Sequence, residues 1–357
     1  MSRFISERYA SLVPYVPGEQ PQDRKYIKLN TNESPYPPAP AVIEAVGREE
    51  MADLRLYSDP ECKVLRSKLA SLYGLKPENV YLSNGSDDIL SFAFMAYGAD
   101  GRDVVFPAIS YGFYQVFADL YGSRARKIPL KEDFSIDYRD YCDVHSTVVI
   151  ANPNAPTGLA LSVREIEEIV KSNSDNVVVI DEAYVDFGAE SCLPLIHQYD
   201  NLLIVRTYSK SRAMAGARLG FALACEGLID DLNRLKFSTN PYNINRLTLI
   251  AGAAAVDSND YFVQNCHRIE KTRDMTACSL AELGFHVVPS KANFLFAKHD
   301  RLPGETVYRQ LKERGVLVRH FLDSRISDYN RITIGSEEEM EILVSCLTDI
   351  VKKGETP

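Results

Sequence analysis

Short apolar runs rich in β-branched residues recur at residues 80–82, 103–106, 147–150, 176–180, 202–205 and 219–223. Segments of helical period lie between them. Residues 62–73 set Leu65, Leu69 and Leu72 on one face, and Gly74 follows as a C-cap. Ser162 and Glu165 have the spacing of a capping box, which predicts a helix through Lys171. A further helix is predicted over residues 86–97. The strands are apolar throughout rather than alternating, as expected where both faces are covered. This pattern predicts an α/β architecture with a buried, mostly parallel sheet.

Near residue 260 the pattern changes. A long helix is predicted over residues 261–283 and stops at Gly284. Strands follow at 285–289 and 293–297, a helix at 305–314, and strands at 316–319 and 332–334. Ser336 and Glu339 repeat the capping-box spacing ahead of a last helix to Lys352. The first 40 residues differ again, being rich in Pro and Asn and without period. Residues 28–40 read as extended, because each Pro biases its predecessor away from helix. Phe4, Tyr9, Tyr15, Tyr26 and Tyr36 suit this segment to packing on something. The expected organisation is an arm over residues 1–40 lying on the small domain or a partner, a large domain over 41–255 and a small α+β domain over 256–357.

Composition narrows the function classes. A chain of 357 residues has room for about two domains. With 40 basic and 49 acidic residues the net charge is −9, which lacks the footprint of a nucleic-acid or anionic-membrane binder. The seven cysteines are odd in number and none are spaced C-x-x-C, so neither a disulfide framework nor a zinc site is expected. The six histidines form no H-E-x-x-H pattern, and no metal site is expected. The first residues lack an apolar signal core, and the mostly apolar stretch at 247–256 is too short to span a bilayer. A cytoplasmic protein is the expectation.

In an open α/β sheet, ligands gather beyond the carboxyl ends of the strands. Here those positions hold Ser83-Asn-Gly-Ser-Asp-Asp88, Asn152-Pro-Asn-Ala-Pro-Thr-Gly158, Asp181-Glu-Ala-Tyr184 and Thr207-Tyr-Ser-Lys210. Asp181 ends an apolar strand, where a carboxylate calls for a cationic partner; taken alone, it reads better as the cap of a helix or turn. Lys210 sits among small residues with Arg218 eight positions on. A lone Lys is usually a solvated charge, whereas a desolvated one can form a Schiff base. Arg218 and Ser209 offer donors for a phosphate. Gly85 and Ser86 open a helix whose N-terminal amides favour an anion, while Asp87 and Asp88 also suit the helix dipole. Tyr111 reads either as an ordinary loop tyrosine or as a stacking partner. Together these groups meet the needs of pyridoxal 5′-phosphate: an amine, an acid for the ring nitrogen, a phenolic-oxygen donor, a phosphate cup and an aromatic platform.

At this point the sequence resembles a known family. Thr-x-Ser-Lys-Ser-x-Ala-x-x-Gly with Arg218 beyond it is similar to the lysine signature of fold-type I aminotransferases. The subgroup it most resembles contains histidinol-phosphate aminotransferase. The likeness runs through Asn30-Thr-Asn-Glu-Ser-Pro-Tyr36, Asn-Gly-Ser-Asp, Pro-Asn-x-Pro-Thr-Gly, Asp-Glu-Ala-Tyr and Arg331-Ile-Thr-Ile-Gly335, in family order. The resemblance implies a seven-stranded-type sheet in the large domain. It implies Lys210 as the Schiff-base lysine and proton shuttle, Asp181 on the ring nitrogen, Tyr184 on the phenolic oxygen and Tyr111 stacked on the ring. Gly85, Ser86, Asp87, Ser209 and Arg218 would line the phosphate cup. Tyr57 matches a residue that reaches the cofactor of a neighbouring subunit, which implies a homodimer. The family's Asn before Pro-Thr-Gly is Ala155 here, so Asn154 or Asn152, or Tyr184 with water, would take its place.

For the substrate, Arg331 matches the family's carboxylate-binding Arg, and Arg319 adds a second cation on a neighbouring strand. Such a pair suits both a phosphate and the carboxylates of 2-oxoglutarate or glutamate. The competing reading of Arg319 is a surface pair with an acid such as Asp323. Tyr15 resembles an arm residue that closes over substrate, and Asn32 is expected beside it. The implied reaction is L-histidinol phosphate plus 2-oxoglutarate to imidazole-acetol phosphate plus L-glutamate. An aromatic-amino-acid aminotransferase and a threonine-phosphate decarboxylase remain alternatives of the same fold. A non-catalytic pyridoxal-phosphate module and a nicotinamide dehydrogenase rank below them, since neither a DNA-binding segment nor an early G-x-G-x-x-G is seen.

Overall fold

The computed structural model describes residue 5, residues 7–47 and residues 51–354. Phe4 lies outside the described residues. The strands are β1 (Ile27–Leu29), β2 (Val80–Ser83), β3 (Asp103–Pro107), β4 (Arg124–Ile128), β5 (Thr147–Ala151), β6 (Val178–Asp181), β7 (Leu202–Thr207), β8 (Gly220–Ala224), β9 (Phe285–Val288), β10 (Phe294–His299), β11 (Val316–His320) and β12 (Asn330–Thr333).

A seven-stranded sheet runs β2-β8-β7-β6-β5-β3-β4. Strand β8 is antiparallel to both its neighbours, and the remaining pairs are parallel. Both faces are covered, which is why the central strands read as continuous apolar runs. Val148, Ile150, Val178 and Ile180 pack on one face with helices Lys63–Tyr73 and Val163–Ser172. Val149, Val179, Leu203 and Val205 pack on the other with helices Ser86–Tyr97, Phe113–Tyr121 and Glu226–Thr239. Both predicted capping boxes form: Ser162 Oγ accepts from Glu165 N at 3.3 Å, and Ser336 Oγ from Glu339 N at 3.2 Å.

The five-stranded sheet runs β1-β11-β12-β10-β9 and carries helices Asn259–Glu282, Gly304–Glu313 and Glu337–Gly354 through Ile269, Leu280, Leu311, Leu343 and Leu347. Two of its features differ from the sequence reading. The Pro-rich arm contributes a strand, β1, whose Ile27, Lys28 and Leu29 pair in parallel with Val316, Leu317 and Val318. A helix not predicted from the sequence, Arg246–Asp257, precedes the long helix Asn259–Glu282 and is separated from it at Ser258. Among the described residues no helix is long and apolar enough to cross a membrane.

Candidate active site

The carboxyl ends of β6 and β7 bring the polar loops together. Asp181 is the last residue of β6 and is buried at 4% exposure. Tyr114 Oη donates to its Oδ2 at 2.9 Å, and Ala183 N to its Oδ1 at 3.2 Å. Burial raises its pKa to about 6, the two donors working against the rise, so it is ionised at neutral pH. Lys210 follows β7, and its Nζ donates to the Thr31 carbonyl at 3.2 Å. Burial first, then the positive charge of Arg331, pulls its pKa down to about 8.

Two glycines allow a close meeting of backbone and cation. A Cβ on Gly220 of β8 would lie 2.4 Å from the Gly85 carbonyl carbon. A Cβ on Gly85, whose φ is +91°, would lie 2.7 Å from Arg218 Nη2. The amino end of helix Ser86–Tyr97, Arg218 and Ser209 therefore converge, with Arg218 Nη1 donating to Ser209 Oγ at 3.4 Å. Asp87 is an acceptor here: Oδ1 takes the Tyr111 hydroxyl at 2.8 Å and Oδ2 takes Arg218 Nη2 at 3.1 Å. Only its backbone N–H is a donor suited to an anion.

Ser86, Asp87, Tyr111, Asp181, Tyr184, Ser209, Lys210 and Arg218 line one cavity together with Thr31 and Glu33 of the arm. Tyr15, Asn32, Arg319 and Arg331 line an adjoining cavity. Thr31, Tyr111, Ala155, Tyr184 and Lys210 belong to the walls of both. The Tyr15 ring stacks on Phe113 at 4.2 Å and lies 6.0 Å from the Tyr111 ring. Arg319 and Arg331 are direct partners in the β11–β12 ladder. Arg319 donates to the carbonyls of Val16 and Pro17, both at 3.2 Å, and Arg331 to that of Asn30 at 3.1 Å. Asp323 is not the partner of Arg319; its carboxylate is taken by Arg325 at 2.7 Å.

Asn154 requires a correction. Its Nδ2 donates to the Ile109 carbonyl at 3.0 Å and its Oδ1 accepts from Ser110 Oγ at 2.7 Å. It is spent on tying its loop to the loop that follows β3, and the cavity wall receives Ala155 instead. Asn152 is also spent, exchanging two hydrogen bonds with the Leu161 backbone at 3.1 and 2.7 Å. Tyr57 lies outside both cavities; it is 80% exposed and stacks on Tyr242 at 4.5 Å. Tyr114 escaped the sequence reading. Its signal was its place three residues beyond Tyr111, in the first turn of helix Phe113–Tyr121, where the two rings meet edge to face at 5.7 Å.

The family model described as aminotransferase class I and II matches residues 24–347. The histidinol-phosphate aminotransferase of Brachyspira hyodysenteriae is 49% identical over 353 residues, covering 99% of this chain and 100% of that protein. That of a Marinomonas species is 52% identical over 350 residues, 97% of this chain and 99% of that protein. Among solved structures, the histidinol-phosphate aminotransferase from Sinorhizobium meliloti in complex with pyridoxal-5′-phosphate superposes with a TM-score of 0.90 over 99% of each chain, at 24% identity. That last likeness bears on the fold.

Proposed function

The chain belongs to the class I and II aminotransferase family, and from that premise we propose that it transaminates L-histidinol phosphate with 2-oxoglutarate, giving imidazole-acetol phosphate and L-glutamate. The cavity residues fit pyridoxal 5′-phosphate. Asp181 is a buried, ionised carboxylate with no cationic partner among the described residues, suited to a protonated ring nitrogen. Arg218, Ser209 and the helix end at Ser86 suit a phosphate, and Gly85 keeps the approach open. Tyr111 would stack on the ring, and Tyr184 would face its phenolic oxygen.

When bound, the cofactor supplies the aldehyde carbon that receives the amino group and a ring that accepts electrons from the substrate Cα. Lys210, with its pKa lowered to about 8, keeps part of its population as free amine near neutral pH. Its Nζ would take the proton from the substrate Cα and deliver it to the cofactor's aldehyde carbon, which fits its place in the wall of both cavities. Asp181 would hold the proton of the ring nitrogen, Tyr184 would donate its hydroxyl into the cavity, and Tyr15 would help exclude water. Arg319 and Arg331 grip the phosphate of one substrate and the carboxylates of the other in turn. Tyr57, remote from its own cavities, would serve the site of a second subunit in a homodimer. Seven unbridged cysteines suit a reducing cytoplasm.

The observation that carries this reading is the direct opposition of Arg319 and Arg331 in the cavity wall that also holds Lys210. The test is to load the protein with cofactor, add one amino compound without a keto acid, and follow the visible band. L-Histidinol phosphate should bleach it and 2-oxoglutarate restore it. Bleaching by L-phenylalanine alone would favour an aromatic aminotransferase. Release of carbon dioxide from L-threonine phosphate would favour a decarboxylase.

A further inference from the structure

The Asn32 side chain is 1% exposed, and its residue holds a left-handed φ of +56°. Four hydrogen bonds fix it. Its backbone N–H donates to Thr333 Oγ1 at 2.9 Å, and Thr333 Oγ1 donates to Asn32 Oδ1 at 3.0 Å. Its carbonyl accepts from Asn293 Nδ2 at 3.0 Å, and its own Nδ2 lies 2.9 Å from Tyr184 Oη.

Thr333 Oγ1 accepts from the Asn32 backbone and gives its one proton to Asn32 Oδ1. In that arrangement the amide oxygen of Asn32 faces Thr333. The end facing Tyr184 is then the NH2 group, which can only donate. Tyr184 Oη must accept from Asn32, and its single proton is left for the cavity that Tyr184 lines. Burial raises the Tyr184 pKa, so the hydroxyl keeps that proton. Ala155, in the same cluster as Tyr184, presents only a methyl group to the cavity, and both nearby asparagines are committed elsewhere.

We propose that Asn32 is a positioning residue that turns the Tyr184 proton into the cavity, making Tyr184 the donor to an anionic ligand oxygen where Ala155 offers no amide. This rests on the proposed cofactor, whose phenolic oxygen is that ligand atom. Asn32 acts through Tyr184.

The test is a pH titration of the visible band of the protein loaded with pyridoxal 5′-phosphate. A donor favours the more negative form of its acceptor, so losing it raises the midpoint. Tyr184→Phe should raise it by about one pH unit. Asn32→Asp replaces the donor by an acceptor that captures the Tyr184 proton, and should raise the midpoint by a similar amount. In the Tyr184→Phe background, Asn32→Asp should add nothing. Thr333→Val frees the amide to turn over and should move the midpoint part of the way, which keeps the test if Asn32→Asp does not fold. An unshifted midpoint in the variant that folds, or shifts that add in the double variant, would overturn the proposal. A wild-type protein without a visible band would sink the cofactor reading itself, and this inference with it.

Discussion

Arg319 on β11 and Arg331 on β12 stand directly opposite each other in an antiparallel ladder. Like charges in that arrangement repel. Neither has a carboxylate partner among the described residues, and both donate to arm carbonyls. In the proposed reaction, an anion bridging both would relieve that repulsion. Arg319→Ala should raise KM for histidinol phosphate by roughly 10–100-fold and barely move that for L-phenylalanine. Arg319→Lys should not restore the loss, because an ammonium lacks the planar fork. Steady-state kinetics with both substrates checks this; equal losses for both would remove Arg319 from the phosphate.

Asp181 carries a cost in the cofactor-free protein. Its folded pKa of about 6 lies above the ordinary 3.8. Between those values the native state binds more protons than the unfolded state, so stability falls as pH rises. Above pH 6 the full cost is present, at most about 3 kcal/mol for two pKa units. Cofactor-free Asp181→Asn should accordingly be more stable than wild type at pH 7. The difference should shrink toward pH 4. Urea unfolding across that range measures it, and a pH-independent difference would contradict the assignment.

Glu182 and Arg206 form a pair at 2.8 Å with side chains 0% and 7% exposed. Arg206 also reaches Asp186, which accepts from Ser211 beside Lys210. Arg206→Leu strands a buried carboxylate and should cost about 3–5 kcal/mol. Adding Glu182→Leu should recover part of that loss in thermal or urea unfolding.

Tyr57 tests the second subunit. Tyr57→Ala and Lys210→Ala proteins should each be poorly active or inactive alone. If Tyr57 serves a neighbour's site, unfolding and refolding them together yields mixed dimers with one intact site, and about a quarter of wild-type activity returns. No gain on mixing would place Tyr57 outside the partner's site.

Much of the large sheet was legible in the sequence because its central strands are buried on both faces, leaving unbroken apolar runs. The loops beyond them were legible because chemistry there demands rare residue types: Asp181 after four apolar residues, Lys210 among small ones, glycines at 85 and 220. Strand β4 was not legible. It is an edge strand of Arg-Ala-Arg-Lys-Ile whose side chains are largely exposed, so burial left no periodic mark on it.

The tertiary structure alone decided what depends on contacts across long sequence separations. The three residues of β1 have no signal of their own and become a strand because β11 offers an open edge. The spacing of Arg319 and Arg331 along the chain does not state their register; the ladder does. The sequence left Asn152, Asn154 and Tyr184 as candidates to replace the absent amide at Ala155. The Leu161 backbone claimed Asn152, and Ile109 and Ser110 of the loop after β3 claimed Asn154, since a buried polar group left unpaired is costly. Asn32 reached Tyr184 over 152 positions because Thr333 and Asn293 hold it there. Local pattern specified which groups are present, and packing specified which of them remain free to act.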